Sequence, residues 1–128
     1  MYEGVKMTRT ELDQFIRKTY KVEAERLFAK NPTTAIYRHP KGRKWFAVIM
    51  EVSPKILGLK GTDQITIMNL KIDPVLGDLL KDKASYYPAY HMNKEKWITA
   101  LIDRNTDHNG LIGLIAMSHR LTKTKQDD

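Results

Sequence analysis

The stretch of this sequence that is richest in chemically useful side chains is residues 86–97. These twelve residues contain three tyrosines, a histidine, an asparagine, two lysines and a tryptophan. Aromatic rings can stack on nucleobases and lysines can neutralise phosphates, so this composition is compatible with a recognition surface. It is equally compatible with a structural role, in which the rings fill the core and His91 and Asn93 satisfy the backbone of a tight turn. We favour the structural role and keep the recognition surface as the alternative.

A second chemical feature is a run of positive charge in the first half of the chain. Residues 1–64 contain 13 Lys and Arg against 7 Asp and Glu, whereas residues 65–128 contain 9 against 8, and the net charge is +7. No acidic residue occurs from 27 to 48, where His39 accompanies four cations: Arg38, Lys41, Arg43 and Lys44. Clustered positive charge is typical of nucleic-acid binding. A basic surface that only maintains solubility would give the same composition.

Patterns typical of catalysis and of metal binding are missing from the sequence. The absence of cysteine excludes disulfides and thiolate metal sites, and no two of the four histidines are spaced as a helical zinc pair. Residues 58–62, Gly-Leu-Lys-Gly-Thr, lack the Gly-Lys-Ser/Thr ending of a phosphate-binding loop, and no Gly-x-Ser-x-Gly motif occurs. No pair of carboxylates is singled out as acid and base. We therefore predict a protein that is not an enzyme, with no metal and no cofactor.

The length and the distribution of apolar residues fit one soluble domain. A chain of 128 residues has the size of a single domain. Its first ten residues contain Glu3, Lys6 and Arg9 and no apolar segment of a signal peptide, and no stretch approaches the roughly 20 apolar residues of a membrane helix. We expect a single cytoplasmic domain over residues 1–128, monomeric and away from membranes, with frayed ends at residues 1–6 and 123–128.

Local signals predict three helices. Thr8-Arg9-Thr10-Glu11 has the form of a capping box and starts a helix over residues 9–20. Whether residues 23–30 continue that helix stays open until Asn31-Pro32, where proline ends it. Asp73-Pro74 starts a short second helix. The last helix is predicted over residues 108–121 from its apolar periodicity.

Runs of β-branched and aromatic residues predict four strands. The loop between the first two strands contains Pro40 and Gly42, which suit a reversing hairpin that would project its basic residues away from the body. The order α-β-β-β-α-β-α predicts an α+β fold, with an antiparallel sheet, helices packed on one face and the other face partly open. The predicted strands are residues 33–38, 45–50, 65–72 and 97–102.

Two motifs give the sequence a family resemblance. Tyr87-Pro88-Ala89-Tyr90-His91-Met92-Asn93-Lys94, followed by Trp97-Ile98-Thr99, resembles the hallmark of the MmcQ/YjbR family. Asn69-Leu70-Lys71-Ile72-Asp73-Pro74 resembles its second signature, a strand ending in Lys-x-Asp-Pro before a short helix. Residues 43–47 match the family's hairpin strand, and the similarity runs from about residue 7 to 121.

This resemblance implies a frataxin-like (CyaY-like) α+β fold. Members of the family have been likened to double-wing DNA-binding domains, in which the sheet and its hairpins face the duplex. A frataxin-style iron role is not expected, because it calls for an acidic helix surface. The first helix of this chain instead mixes its acidic residues with Arg9, Arg17 and Lys18.

Charge and resemblance together predict a non-catalytic DNA-binding protein. The residues predicted to contact phosphates are Arg38, Lys41, Arg43, Lys44, Lys71, Lys94 and Lys96. Base contacts, if made, are expected from Tyr90, His91 and Asn93. The alternative is a protein-interaction or small-ligand module that uses the surface of residues 86–97, with the motif residues Tyr87, Pro88, Ala89, Tyr90, His91, Met92, Asn93, Lys94 and Trp97.

Overall fold

A computed structural model describes residues 8–81 and 83–128 of the chain. These residues form one antiparallel sheet with strand order β1-β2-β3-β5-β4. The helices are α1 (Arg9–Tyr20), α2 (Pro74–Leu80) and α3 (His108–Leu121). The strands are β1 (Ala35–Arg38), β2 (Trp45–Val52), β3 (Ile65–Lys71), β4 (Tyr86–Pro88) and β5 (Trp97–Ile102), and short 3₁₀ turns occur at Pro54–Leu57 and Lys125–Asp127.

The predicted α+β class with an antiparallel sheet is confirmed, but the order of elements differs from the prediction. The chain has an additional short strand, β4, so the order is α-β-β-β-α-β-β-α. Tyr86 and Tyr87 of β4 pair with Ala100 and Thr99 of β5. Three residues that end in Pro88 are too few for an alternating strand signal, and proline is itself a signal against a strand. The helices in the described ranges are all too short or too polar to cross a membrane.

The core lies between the helices and one face of the sheet. Leu12 and Ile16 of α1 and Leu111 and Ile115 of α3 are fully buried, at the four-residue spacing that places side chains on one face of a helix. Burial of each such side chain stabilises the fold by about 1.5–3 kcal/mol. They pack against alternate residues of the three central strands: Ala47, Ile49, Met68, Leu70, Ile98 and Ala100.

Helix α1 has the predicted capping box, and the chain beyond it leaves helical geometry. The Oγ1 of Thr8 accepts from the Glu11 amide at 3.2 Å, and a Glu11 carboxylate oxygen accepts from the Thr8 amide at 3.2 Å. The helix ends at Lys21, which adopts a left-handed conformation with φ 57°. Residues 22–34 do not continue the helix. The Glu25 amide donates to the Ile36 carbonyl at 2.8 Å and the Ile36 amide donates back at 2.9 Å, so this segment pairs with the outer edge of β1.

A buried serine joins α3 to the end of the sheet. The hydroxyl of Ser118 donates to the carbonyl oxygen of Phe46 at 2.6 Å and accepts from the amide of Lys71 at 2.8 Å. Ser118 has no exposed surface. Its side chain therefore bridges β2 and β3 where their direct pairing ends, and it fixes the position of α3 relative to both strands.

The C-terminal segment contains an ordered turn that contacts the β1–β2 loop. Residues 123–128, predicted to be frayed, include the 3₁₀ turn capped by Thr124, whose amide donates to Asp127 at 2.9 Å. The other oxygen of the Asp127 carboxylate accepts from the Gly42 amide at 2.8 Å. A Cβ atom on Gly42 would lie 2.5 Å from side-chain oxygens of both Asp127 and Thr124, so a larger residue would require these side chains to shift. The predicted frayed end at residues 1–6 lies outside the described residues.

Candidate functional site

The face of the sheet opposite α1 and α3 carries a cavity of about 540 Å³. Its floor is made by Val48 and Met50 of β2 and by Asn69 of β3. Three segments form the walls: residues 22–34, the turn at residues 53–57, and residues 90–92 of the tyrosine-rich motif. The sheet face predicted to be partly open is thus covered at its margins, and the floor residues Val48 and Asn69 are buried beneath the cavity.

The motif wall is fixed by a buried hydrogen-bond network. Asn69 donates from Nδ2 to the Tyr90 carbonyl at 2.9 Å, and Thr99 donates from Oγ1 to Asn69 Oδ1 at 2.5 Å. The Tyr90 amide donates to the same Thr99 hydroxyl at 2.9 Å. Both Asn69 and Thr99 are buried. The two polar backbone groups of Tyr90 are therefore held by side chains of β3 and β5, and this fixes where the following turn begins.

The turn that follows places His91 at the mouth of the cavity. His91 is exposed and adopts a left-handed conformation with φ 59°, which is uncommon for residues other than glycine. Its ring centroid lies 4.0 Å from that of Tyr90. Asn93 has the structural role considered from the sequence, because its Oδ1 accepts from the amides of Glu95 at 2.8 Å and Lys96 at 3.2 Å.

The motif contains both core and surface residues. Ala89 is fully buried, and the side chains of Tyr87, Tyr90, Met92 and Trp97 are half-buried. The remaining members are exposed: Pro88, His91, Asn93 and Lys94. The motif therefore anchors itself in the fold with some residues and presents others to solvent.

Two tryptophans stand on the cavity side of the sheet. Trp45 contacts Phe28 edge to face, with ring centroids 6.2 Å apart and an interplanar angle of 77°. Both rings line the cavity, and Phe28 is 43% exposed. Trp97 lies farther along the sheet, with the ammonium nitrogen of Lys71 6.0 Å from its ring centroid. Aromatic surface is thus accessible next to positive charge.

The predicted phosphate contacts gather at one end of the sheet, which we call the cationic end. Lys71 at the end of β3 pairs in register with Trp97 at the start of β5, and Ala47 near the start of β2 pairs with Leu70. The lysines at this end are Lys41 and Lys44 of the β1–β2 loop, Lys71, and Lys96. Lys94 lines a smaller groove that shares Tyr90 and Ile56 with the cavity.

Arg38, Arg43 and His39 differ from the lysines in their surroundings. Arg38 donates two hydrogen bonds to the Glu25 carboxylate, at 2.8 and 2.7 Å, and Arg43 lies 3.6 Å from the same group. The hydrogen bonds from Arg38 lower the pKa of Glu25. His39 is buried, with Nε2 2.9 Å from the Thr122 hydroxyl. The prediction that the whole basic cluster projects from the body is therefore wrong for Arg38 and His39, while Lys41, Arg43 and Lys44 are exposed.

Aromatic rings and a carboxylate connect the base of the β1–β2 loop to the C-terminal segment. The ring of His119 stacks on Tyr20 at 4.4 Å between centroids and lies 4.3 Å from His39. Burial, together with His39 and Lys123, lowers the pKa of His119 to about 4. Hydrogen bonds from the backbone amides of Thr124 and Gly42 lower the pKa of Asp127 to about 2. This part of the molecule positions the loop and is not itself open to a ligand.

The arrangement offers groups suited to binding. Within residues 8–81 and 83–128, no three His, Asp or Glu side chains are grouped so that they could hold a metal ion. The carboxylate of Glu51, beside the cavity, accepts a hydrogen bond from Arg9 at 2.5 Å and another from the Thr66 hydroxyl at 2.7 Å. The cavity presents aromatic faces, and the cationic end presents ammonium groups.

Several cavity residues were not identified as site residues from the sequence. Asn69 could have been identified from the sequence. Its amide lies between apolar residues of β3, and a polar side chain in such a position is expected to make a buried hydrogen bond. Trp45 was assigned only to a strand. Phe28 gave no signal, because its role depends on the path of residues 22–34 back across the sheet.

Comparison with known proteins places this fold and motif in a family. The family model described as YjbR matches residues 8–121. The chain belongs to the YjbR family. The uncharacterised YjbR relative YyaQ of Bacillus subtilis (strain 168) is 35% identical over 117 residues, which cover 91% of this chain and 99% of YyaQ.

Solved structures share the YjbR fold. The crystal structure of a Pseudomonas syringae protein has a TM-score of 0.89 and 33% identity, covering 91% of this chain and 100% of its own. A solution NMR structure from the same organism has a TM-score of 0.84 and 32% identity, covering 95% and 98%. Protein DR2400 of Deinococcus radiodurans shares the fold with a TM-score of 0.70 at 20% identity, covering 98% and 88%.

Proposed function

We propose that this YjbR protein binds DNA through the cationic end of its sheet. The observation that carries the proposal is the strand register, which brings the ends of β2, β3 and β5 together and with them Lys44, Lys71 and Lys96. Lys41 and Arg43 extend this positive surface on the β1–β2 loop. In this proposal the loop acts as a wing against the duplex, as in the double-wing, frataxin-like frame to which the family has been likened.

The surroundings of each cation indicate how it would contribute. The lysines at positions 41, 44, 94 and 96 are exposed and form no ion pair with another residue in the described ranges, so phosphates can reach them. Arg38 and Arg43 belong to the same proposal, but phosphate would compete there with the Glu25 carboxylate. Arg38 therefore contributes mainly by holding the base of the loop, and the lysines contribute most of the attraction.

Binding of this kind should depend steeply on salt. Each phosphate that is neutralised releases condensed counterions, so the logarithm of affinity falls with the logarithm of salt concentration, with a slope of about −0.9 for each contact. Five contacts would reduce affinity by a few hundredfold between about 50 and about 200 mM salt. Fluorescence anisotropy of a labelled duplex at these two concentrations measures this slope. If the protein does not bind duplex or single-stranded DNA at the lower concentration, the proposal is wrong.

A charge-matched pair of variants tests the location of the surface. The triple variant Lys41→Ala, Lys44→Ala, Lys96→Ala removes three exposed charges from the cationic end. The control Lys18→Ala, Lys60→Ala, Arg104→Ala removes three exposed charges elsewhere on the molecule. We expect the first variant to lower DNA affinity by at least about tenfold. Its salt slope should decrease by the amount that corresponds to about three phosphate contacts. Equal losses in both variants would show that only net charge matters.

The cavity favours a second candidate function, a small-ligand module that uses the wall at residues 90–92. Its volume of about 540 Å³ lies within the range of pockets that bind small molecules. Tyr90→Leu would then abolish ligand binding and leave affinity for duplex DNA unchanged. The lysine triple variant would do the reverse. Thermal shift of both variants with a set of aromatic compounds separates the two functions.

A further inference from the structure

The cavity and Lys71 of the cationic end lie on the same face of the sheet, because Asn69 of the cavity floor and Lys71 are alternate residues of β3. We propose that the cavity takes an unpaired nucleobase and that the preferred substrate is single-stranded DNA. This inference rests on the proposed DNA-binding function and adds to it which form of DNA is bound.

Size and accessibility suit a base. The cavity of about 540 Å³ opens between Trp45, Phe28 and the Tyr90–His91 pair. Its ring surfaces are reachable from solvent, because His91 is exposed and Phe28 is 43% exposed. A base in a duplex would have to be flipped out of its stack to enter, which costs a few kcal/mol. A single strand offers its bases without this cost.

The rings around the opening supply the attraction. Stacking of a base on an aromatic side chain is worth about 1–3 kcal/mol and tolerates any base sequence. Phe28 comes from the wall at residues 22–34 and its neighbour Trp45 from β2, while Tyr90 and His91 come from the wall at residues 90–92. A base in the cavity would therefore meet aromatic rings from three segments. The backbone of Tyr90 is already fixed by Asn69 and Thr99, so little ordering is needed when the ligand enters.

Polar atoms at the opening can contact the edge of the base. The Asn31 side chain and the His91 ring line the cavity from two different segments. An amide offers a donor and an acceptor, and a neutral imidazole offers one of each. Every nucleobase edge carries both kinds of group, which suits binding without strong sequence preference.

Exposed lysines adjoin the residues that line the cavity and could reach the phosphates of an inserted nucleotide. Lys44 directly precedes Trp45 and Lys55 directly precedes Ile56, and both lysines are exposed. Lys94 lines the adjoining groove that shares Tyr90 and Ile56 with the cavity. The carboxylate of Glu51, which also lines the cavity, is paired with Arg9. Stacking of bases on aromatic rings, with phosphates on a cationic surface, is the arrangement that single-strand binding proteins use.

The first test compares three ligands at about 50 mM salt: a labelled single strand of about 12 nucleotides, the duplex of the same sequence, and a free mononucleotide. Anisotropy should show the single strand binding at least tenfold more tightly than the duplex. In the variant Trp97→Phe, Trp45 is the remaining tryptophan. Its fluorescence should be quenched by the single strand and not by the duplex.

Variants of the cavity make the test specific. Phe28→Leu and Tyr90→Leu should each weaken single-strand binding by about tenfold, the value of one lost stacking contact, and leave duplex affinity unchanged. Phe15→Leu, on the helix side of the sheet, removes an aromatic ring of the core margin and should change neither. Circular dichroism confirms that each variant is folded at the temperature of the titration.

The outcomes separate this inference from the proposed function. Duplex binding that equals or exceeds single-strand binding, without quenching of Trp45, would overturn the inference and leave the proposed function in place. A mononucleotide that binds as tightly as the single strand would also overturn it, since the cavity would then serve a free ligand. If the protein binds neither form of DNA, both the inference and the proposed function are wrong.

Discussion

Tyr90 is positioned by two side chains that lie far from it in the sequence. Its amide donates to the Thr99 hydroxyl and its carbonyl accepts from the Asn69 amide, while Thr99 and Asn69 contact each other. Each member of this buried network satisfies a polar group that would otherwise be unpaired. Removal of one member therefore affects the other two.

Substitution of Thr99 tests this network. Thr99→Val keeps the shape of the side chain and leaves the Tyr90 amide and Asn69 Oδ1 without a partner in a buried position. We expect the free energy of unfolding to fall by about 1–3 kcal/mol, measured by urea denaturation. Thr10→Val, at an exposed position of α1, is the matched control and should change it by less than about 0.5 kcal/mol. Equal effects in both variants would mean that the network contributes no stability.

Residue roles were predictable from the sequence where the partner is local. The capping box at Thr8 and Glu11 and the cap at Asp73, which accepts from the Leu76 amide, join residues three apart, so a short motif specifies them. The role of Asn69 depends on a residue 21 positions away. Only its polarity within an apolar strand pointed to a special role.

At the scale of elements, the β1–β2 loop depends on the C-terminal turn. The Asp127 carboxylate accepts from the Gly42 amide with one oxygen and from the Thr124 amide with the other. The loop that carries Lys41 and Lys44 is therefore held at its middle. A rigid loop presents its charges in one arrangement, which lowers the ordering cost of binding.

Asp127→Ala should loosen this loop. The Gly42 amide would lose its acceptor, so we expect its hydrogen exchange to become faster, as measured by NMR or mass spectrometry. Asp128→Ala is the control: Asp128 is exposed and lies 3.4 Å from the Lys123 ammonium, so its loss should leave exchange at Gly42 unchanged. Unchanged exchange at Gly42 in Asp127→Ala would show that the loop is held by other contacts.

Most elements were predictable because their signals are local. The bounds of α1, α3 and β5 agree with the prediction. Strand β3 ends one residue earlier than predicted, and β2 continues two residues beyond its predicted end. What was missed depends on distant contacts. Strand β4 exists through pairing with β5, residues 22–34 follow the edge of β1, and the turn at Lys125–Asp127 forms against a loop 85 residues earlier. Of these missed segments only residues 22–34 line the cavity, whereas its wall at residues 90–92 lies within the surface that the sequence offered for a small-ligand module.

At the scale of the whole molecule, acid should destabilise the fold through His119. Its pKa is about 4 in the folded protein and near 6.5 when unperturbed, because burial disfavours the charged ring; His39 and Lys123 add to this, and Asp127 acts in the opposite direction. The unfolded chain therefore takes up the proton first. The stability that depends on neutral His119 is full above about pH 6.5, falls as the pH drops toward about 4, and changes no further below that.

His119→Phe tests this pH dependence. Phenylalanine keeps a ring against Tyr20 and Phe46 and does not titrate. The free energy of unfolding of this variant, measured in urea at pH values of about 7, 5 and 4, should fall less on acidification than that of the native sequence. An identical decrease in both proteins would assign the acid sensitivity to other groups. Asp127 stays ionised over this range, since its pKa is about 2.

The pairing of Glu25 with Ile36 has a consequence for behaviour at high concentration. It occupies the polar groups of Ile36 on the outer edge of β1, while the opposite edge, β4, is three residues long and ends in a proline. Exposed strand edges are where folded chains join into larger aggregates. Because Ile36 is covered on one edge and the other edge is short and ends in proline, a neighbouring molecule gains access to the edge of β1 only after residues 22–34 detach. Aggregation on heating should therefore begin when residues 22–34 detach from β1, before the core melts.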